Sequence, residues 1–331
     1  MNSSSQGDLT GERVSVVIVN FNGQKYLEEC LGSLEHQSTR GFETILVDNG
    51  SRDESVGYLR NRFPWVLIVE NGKNLGYAGG ANAGIRAARG DLILTLNNDT
   101  IPSPDFIEKF TGLVPDDPSV GMWAAKMVFP DGRINSAGIC ISRSGASWDR
   151  GMFEPDRGQY DRNEEVFGPC GGAALYRKKM LDDIGLFDED FFLFMEDVDL
   201  AFRARLAGWR CMYNPSAKVV HVHGGTAGYR SALSVYYGNR NICWYPAKDF
   251  PLPFLFSSLP WIIGRSLGVI PYYLALGLGK AAIRAKMDGI RGIPKNLQKR
   301  KENHVRVSNR EIARWIHTWA GMERDNSFRN R

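Results

Sequence analysis

The run Leu92-Ile-Leu-Thr-Leu, closed by Asn97, Asn98 and Asp99, constrains this chain more than any other stretch. It lies between turn signals, Gly90 before and Pro102 after. A run this short and this apolar reads as a strand buried on both faces. Strands of that kind belong to parallel sheets, whose ligands bind beyond the carboxyl ends of the strands. Asp99 is then placed where a hard cation and a phosphate can meet. The same Asn-Asn-Asp triplet also serves as a plain turn cap.

Two further stretches repeat the pattern. Val14–Asn20 is a buried-strand run ending in the turn Asn20-Phe-Asn-Gly23, and Thr44–Val47 ends in Asp48-Asn-Gly50-Ser51. Helical spacing follows the first (Tyr26, Leu27, Cys30, Leu31, Leu34), a second helix is expected over Ser55–Phe63, and a short strand over Val66–Val69. Asn74–Gly80 then leads into a helix through Ala81–Ala88. Strand and helix alternate, so the fold class is α/β with a largely parallel sheet and right-handed crossovers. Three strands end in a polar residue, Asn20, Asp48 and Asp99. Three such ends on one sheet edge describe a ligand site better than three independent caps.

The glycines of Asn74–Gly84 fit neither GxGxxG nor a GxxxxGK[ST] loop. They still allow close backbone approach to a ligand, and the helix start adds free N–H donors for phosphate. From Pro115 to Gly168 the pattern is less regular, and short strands with a loop over the site are expected. The block Leu186–Arg203 is acidic and aromatic and leads into a helix. Acids at a helix start favour its dipole. Glu196, Asp197 and Asp199, however, crowd three carboxylates into four positions, which is costly unless a cation or a proton relieves it. Val219–Thr226 reads as a strand carrying His221 and His223 on one face.

Together these stretches resemble the family 2 glycosyltransferases with the GT-A fold, especially the rhamnosyltransferase-like branch. The resemblance runs from about Val14 to Asn241. It rests on VSVVIVNFNG (14–23), VDNGS (47–51), NLGYAGGANAG (74–84), GDLILTLNND (90–99), Gly171-Gly172, the Phe187–Arg203 block, His221 and Arg240-Asn241. It implies an inverting transfer from a dTDP-, UDP- or GDP-linked sugar to a hydroxyl of a glycan or lipid-linked glycan in cell-surface polysaccharide synthesis. Asn20 and Asp48 would hold base and ribose. Asn74 and Gly76 would border the nucleotide and diphosphate, with Asn82, Asn97 and Asn98 counted among the donor-binding residues. Asp99 would bind Mg²⁺ or Mn²⁺ as the last residue of a DxD-like motif whose first position is here Asn97, one charge fewer. His221 would complete the metal shell or contact the diphosphate. Asp197 would be the general base, with Glu196 beside it or on the acceptor. The competing classes are a nucleotidyltransferase that makes a sugar nucleotide and an inactive glycan-binding homologue.

Composition sharpens the rest. Five scattered cysteines without a CxxC pair argue against a disulfide framework and a zinc site, and fit a reducing cytoplasm. Residues 1–12 are polar, resemble no signal peptide, and are expected to be disordered. The glycosyltransferase domain is expected over 13–245 and a C-terminal helical region over 246–331. Residues 251–279 are apolar with Arg265 the single charge, and four prolines are expected to break them into short interfacial helices. Residues 280–310 carry a net +8, leaving −4 elsewhere on a chain of +4. That asymmetry points to an anionic membrane at the cytoplasmic face rather than to nucleic acid. The alternatives are a transmembrane or re-entrant segment, and a soluble helical cap or a homo-oligomer through the C-terminal helices. The last helix is expected around Glu311–Met322, with Ile312, Trp315, Ile316 and Trp319 on one stripe.

Overall fold

The computed structural model describes residues 13–112, 114, 117–222 and 231–318. The expected N-terminal disorder, His223 and Trp319 lie outside those residues.

The first half alternates as the pattern requires. β1 (Val14–Asn20), α1 (Gln24–Glu35), β2 (Phe42–Asp48), α2 (Ser55–Arg62), β3 (Leu67–Glu70), α3 (Gly76–Ala87) and β4 (Leu92–Asn97) follow one another. β1 lies between β2 and β4, and β2 pairs β3, all in parallel. Val14, Val16 and Ile18 pack with Leu27 and Leu31 of α1 on one face, while Val17 packs with Ala78, Ala81 and Ile85 of α3 on the other. Burial on both faces explains why these strands read as unbroken apolar runs.

β5 (Thr100–Pro102) and α4 (Phe106–Thr111) follow the turn at Asn98–Asp99. Then comes β6 (Val120–Val128), where short strands and a loop were expected. It is nine residues long and buried throughout. Gly121, two alanines and Lys126 dilute its apolar signal; Lys126 is tolerated because Asp156 and Asp161 neutralise it at 2.8 and 2.5 Å. The region does add the short strands β7 (Ile134–Ser136), β8 (Ile139–Ser142), β9 (Ser147–Asp149) and β10 (Glu164–Glu165).

β11 (Ala173–Arg177) runs antiparallel between β4 and β6, so the sheet is mixed rather than wholly parallel. α5 (Lys178–Ile184), α6 (Glu196–Leu206) and β12 (Arg210–His221) follow, with β12 parallel to β6 and antiparallel to β5. Among the described residues the main sheet has the order β10-β12-β6-β11-β4-β1-β2-β3.

α7 (Ala232–Asp249), α8 (Leu252–Ala275), α9 (Gly279–Lys299), α10 (Asn309–Ala313) and β13 (Ile316–His317) complete the chain. The prolines do not break α8, contrary to expectation. Pro251 and Pro253 sit at its start, where N–H groups have no helical acceptor anyway. Pro260 and Pro271 each remove one hydrogen bond from a helix of 24 residues. The expected last helix is also shorter: α10 spans five residues, and Ile316 then pairs with Ile141 of β8. The expected domain boundary at 245/246 falls inside α7.

Candidate active site

Register brings the strand ends together. Asn20 lies opposite Asp48, and Asn97 opposite Val19. Asn20 donates to Asp48 Oδ1 at 3.4 Å and accepts from Asn98 Nδ2 at 2.8 Å. Asp48 also accepts from the backbone N–H groups of Gly50 and Ser51. Gly23 packs against this group, where any Cβ would overlap the Asn98 side chain.

Asn49 links this edge to α3. It donates to Asn74 Oδ1 at 3.2 Å and Gly76 O at 2.8 Å, and accepts from Asn71 and Leu75. The sequence reading passed over it, although it sits inside the VDNGS stretch. Gly76 has φ +71°, and a Cβ there would overlap the Phe192 carbonyl oxygen, so only glycine fits. Asn82 does not join the group. It donates to Phe187 O and Glu189 Oε1 and accepts from Phe187 N, so it ties α3 to the 187–189 segment.

Asp99 and His221 lie together at the end of β4 and β12. His221 Nε2 is 3.2 Å from Asp99 Oδ1, and the residues are 5% and 6% exposed. Asn97 Nδ2 stands 3.4 Å from the same ring nitrogen. On its far side His221 Nδ1 faces Asn135 Oδ1 at 2.8 Å. With the proton on Nδ1, donated to that amide oxygen, the Nε2 lone pair is turned toward the Asp99 carboxylate. Two acceptors facing each other in a buried site suit a divalent cation between them. A hydrogen-bonded second nitrogen is the usual support of a metal-binding histidine. With two protein ligands, such a cation needs diphosphate oxygens to fill its shell, as Mg²⁺ sites commonly do.

The acidic block sits across Gly171-Gly172. Asn97 N donates to Gly172 O at 2.9 Å, and Gly171 N donates to Asp197 Oδ2 at 2.9 Å. A Cβ on Gly171 would stand 3.3 Å from that carboxylate oxygen. The three crowded acids separate by environment. Asp199 is fully buried and neutralised by Arg203 at 2.9 Å and by Lys248 of α7 at 2.6 Å. Glu196 and Asp197 have no such partner among the described residues. Burial, assisted by Asp197, pushes the Glu196 carboxyl well above the usual range. Burial pushes Asp197 up to about 6, against the pull of the Gly171 N–H. Asp149 of β9 is a further acid here, raised by burial and within electrostatic reach of Asp197 and His221.

The chain entering α6 is strained. Phe192, Phe194 and Met195 have φ of 65°, 67° and 70°. Asn241 holds them, donating to the carbonyls of Phe191, Leu193 and Phe194 at 2.7–2.9 Å. Arg240 adds bonds to Asp190 O and Phe191 O. Left-handed non-glycine residues persist only where their surroundings over-determine them. Here that costs stability in order to fix the direction of Glu196 and Asp197.

Known proteins bear on this arrangement. The family described as Glycosyl transferase family 2 matches residues 15–185. The N-acetylglucosaminyl-diphospho-decaprenol L-rhamnosyltransferase of Mycobacterium tuberculosis is 25% identical over 309 residues, 84% of this chain and 97% of that protein. Among solved structures, the mannosyltransferase PcManGT of Pyrobaculum calidifontis, in complex with GDP-Man and Mn²⁺, superposes with a TM-score of 0.55 at 18% identity, over 88% of this chain and 84% of that one. GalNAc-T7 with UDP, GalNAc and Mn²⁺ superposes with a TM-score of 0.63 at 14% identity, over 90% of this chain and 59% of that one. The shared architecture is the GT-A fold.

Proposed function

The chain belongs to glycosyl transferase family 2, and on that premise we propose that it transfers a sugar, rhamnose first among the candidates, with inversion from a nucleotide-sugar donor to a hydroxyl of a lipid-linked glycan. The rhamnosyl choice and the lipid diphosphate acceptor follow the name of the Mycobacterium relative. An O-antigen biosynthesis protein among the relatives supports a role in polysaccharide assembly. The observation that carries the proposal is the pairing across Gly171-Gly172: an unneutralised Asp197 on one side, and Asp99 with His221 on the other.

In this reading Asn20, Asp48, Asn49 and Asn98 shape the nucleoside end of the donor site. Asn74, Gly76 and Asn97 border the diphosphate. Asp99 and His221 would hold Mg²⁺ or Mn²⁺, which supplies positive charge for the departing diphosphate. Asp197 accepts the proton of the attacking hydroxyl. A carboxylate raised to about 6 is a stronger base than an ordinary aspartate and is still ionised at neutral pH. Burial holds the Glu196 carboxyl well above the usual carboxylate range, which favours the protonated form that donates a hydrogen bond to the acceptor oxygen. The Gly171 N–H keeps Asp197 from swinging away. No covalent enzyme intermediate is required, since inversion is a single displacement.

Location at the cytoplasmic face of a membrane is part of the proposal. α8 is apolar over its length yet exposed, with Phe256 66% and Leu267 63% accessible, and the basic α9 packs beside it. A helix of that kind lies in an interface, and neighbouring cations strengthen its hold on anionic lipid.

The test uses the full-length chain with dTDP-rhamnose, UDP-sugars and GDP-sugars, Mn²⁺ or Mg²⁺, and a polyprenyl-diphosphate-linked sugar. Transfer from one donor with inverted anomeric configuration is expected. A product of retained configuration, or no transfer from any donor, would overturn the proposal.

A further inference from the structure

Cys170–Ala173 makes a turn closed by Ala173 N, which donates to Cys170 O at 3.2 Å. Its two central residues are glycines because their neighbours come too close for a side chain. A Cβ on Gly171 would stand 3.3 Å from Asp197 Oδ2, and one on Gly172 would overlap Met127 Cε. Glycine permits that approach at the cost of backbone freedom. The direction of such a turn is therefore set by what holds it from outside.

Three bonds hold it, and each comes from a different element. From the end of β4, Asn97 N donates to Gly172 O at 2.9 Å. At the start of α6, Asp197 Oδ2 accepts from Gly171 N at 2.9 Å. From the first turn of α3, the Tyr77 hydroxyl donates to Gly171 O at 2.7 Å. The carbonyl and the N–H of Gly171 lie on either side of one Cα, so fixing the first limits how far the second can turn. Tyr77 is itself well placed to act as an anchor. It follows Gly76, whose carbonyl accepts from Asn49 at 2.8 Å, and its ring stands edge-on to Phe187 at 6.0 Å. The hydroxyls of Tyr176, Tyr213 and Tyr245 are buried without a partner, whereas that of Tyr77 ends on the turn. Burial raises the Tyr77 phenol well above its ordinary range, with the Thr95 side chain as its other hydrogen-bond partner, so it stays a donor at every working pH. The same turn of α3 also braces the far side of Asp197. Ala78 N donates to Phe192 O at 3.3 Å, in the strained entry to α6.

We propose that Tyr77 is a positioning residue for Asp197: its bond to Gly171 O fixes the Gly171 N–H against the carboxylate and so aims that carboxylate at the attacking hydroxyl. This rests on the reading of Asp197 as the proton acceptor. A tyrosine beside the donor edge would then hold the base without touching either substrate.

The titratable groups around Asp197 are Glu196, Asp149, Cys170, Tyr77 and Tyr176. Burial raises the thiol and both phenols, which stay neutral near pH 6. Glu196 and Asp149 are raised as well and are present in every protein compared below.

The experiment uses the full-length chain as wild type, Tyr77→Phe, Asp197→Asn and the double variant. The first arm needs no substrate. The difference in thermal midpoint between wild type and Asp197→Asn, followed against pH, should inflect near the Asp197 value of about 6. In the Tyr77→Phe background the inflection should move up by about one pH unit, because a loosened N–H stabilises the carboxylate less. An unmoved inflection overturns the proposal. If Tyr77→Phe does not fold, Tyr77→Met, adaptable enough to fill the same space without a donor, carries the comparison. The second arm measures transfer from dTDP-rhamnose, with Mn²⁺ and a polyprenyl-diphosphate-linked sugar. Tyr77→Phe should lower kcat about tenfold with the donor KM retained, and should cost nothing further in the Asp197→Asn background. A loss of the same size in both backgrounds means that Tyr77 acts elsewhere and overturns the proposal. Full turnover in Tyr77→Phe beside an inactive Asp197→Asn does so too. Full turnover in both single variants, with the inflection moved, instead overturns the reading of Asp197 as base and leaves Tyr77 as the anchor of the turn.

Discussion

At the carboxyl edge of β4, β1 and β2, Asn20 bonds to Asp48 and Asn98, and Asn49 ties the edge to Asn74 and Gly76. Where α7, α8 and α9 meet, Arg265 Nη1 and the Tyr245 hydroxyl are buried with no partner, and apolar side chains of α8 face outward. The first is organised before any ligand arrives; the second leaves buried polar atoms unanswered and apolar side chains exposed. Pre-organisation suits a donor site, where displaced groups raise the barrier. An unfinished surface suits docking, where the missing partners come from the surroundings.

That contrast can be broken first at the acid block, which belongs to the organised side. Asp197→Asn keeps size but removes the proton acceptor and one of the two oxygens that accept from Gly171 N and Val198 N, and transfer should fall about 10²–10⁴-fold with donor affinity retained. Glu196→Gln should lose less. Near-normal turnover in Asp197→Asn would return the block to a mere helix start, where asparagine also caps well. The same carboxylate sets the pH dependence. Its folded value lies above its ordinary one, so the proton is held more tightly in the fold. Wild-type kcat/KM should therefore drop as pH falls through about 6. Stability contributed by the neutral form is present below the ordinary aspartate range and is lost as pH rises through about 6. The stability of wild type relative to Asp197→Asn should accordingly fall as pH rises from about 4 to about 7, by something of the order of 1–3 kcal/mol. A pH-rate profile and thermal melts of both proteins check the two signs together.

Next in size is the metal pair. Asp99→Asn should remove Mn²⁺-dependent nucleotide binding without unfolding the chain. Unchanged nucleotide affinity in Mn²⁺, measured by calorimetry, would take Asp99 out of the role. Asn135→Ala should be milder. It loosens the His221 ring rather than deleting a ligand, and outer partners of this kind are worth about 10–100-fold in metal affinity. An Asn135→Ala effect equal to that of Asp99→Asn would mean that the pair is held differently.

The smallest effect belongs to the unfinished side. Leu267→Ser on the exposed face of α8 should weaken binding to anionic vesicles about tenfold, near the value of one buried leucine, and leave donor affinity alone. A drop in donor affinity would erase the distinction between the regions. Simply deleting the C-terminal helices would not test it. Lys299 of α9 pairs with Asp188 at 2.5 Å, and Gly289 packs against Cys243, so truncation would also disturb the segment that aims Asp197.

Sequence reading found the alternation of β1 to β4, the strand ends and the acid block because each is local. A buried parallel strand must be apolar on both faces, and its polar terminal residue stands out against that run. β6 escaped because its glycine, alanines and Lys126 hide the pattern, and the neutralising Asp156 and Asp161 lie some thirty residues away. α8 escaped because proline statistics describe helix interiors in general, and this helix starts on two prolines and survives the others. Asn82 was grouped with donor residues by its neighbourhood, yet its side chain faces the 187–189 segment.

The chain by itself determined the fold class, the family and the sheet edge to which the proposed chemistry is assigned, since periodicity and strand-end polarity are written into consecutive residues. Tertiary structure alone decided how three acids on one helical turn divide. Asp199 meets Arg203 and Lys248 and becomes a structural ion pair. Asp197, two residues earlier, meets no cation among the described residues, accepts from backbone N–H groups and keeps a raised proton affinity. The sequence lists the same kind of carboxylate at both positions. Protonation depends on the dielectric and the charges around a group, and those are supplied by segments distant in the chain.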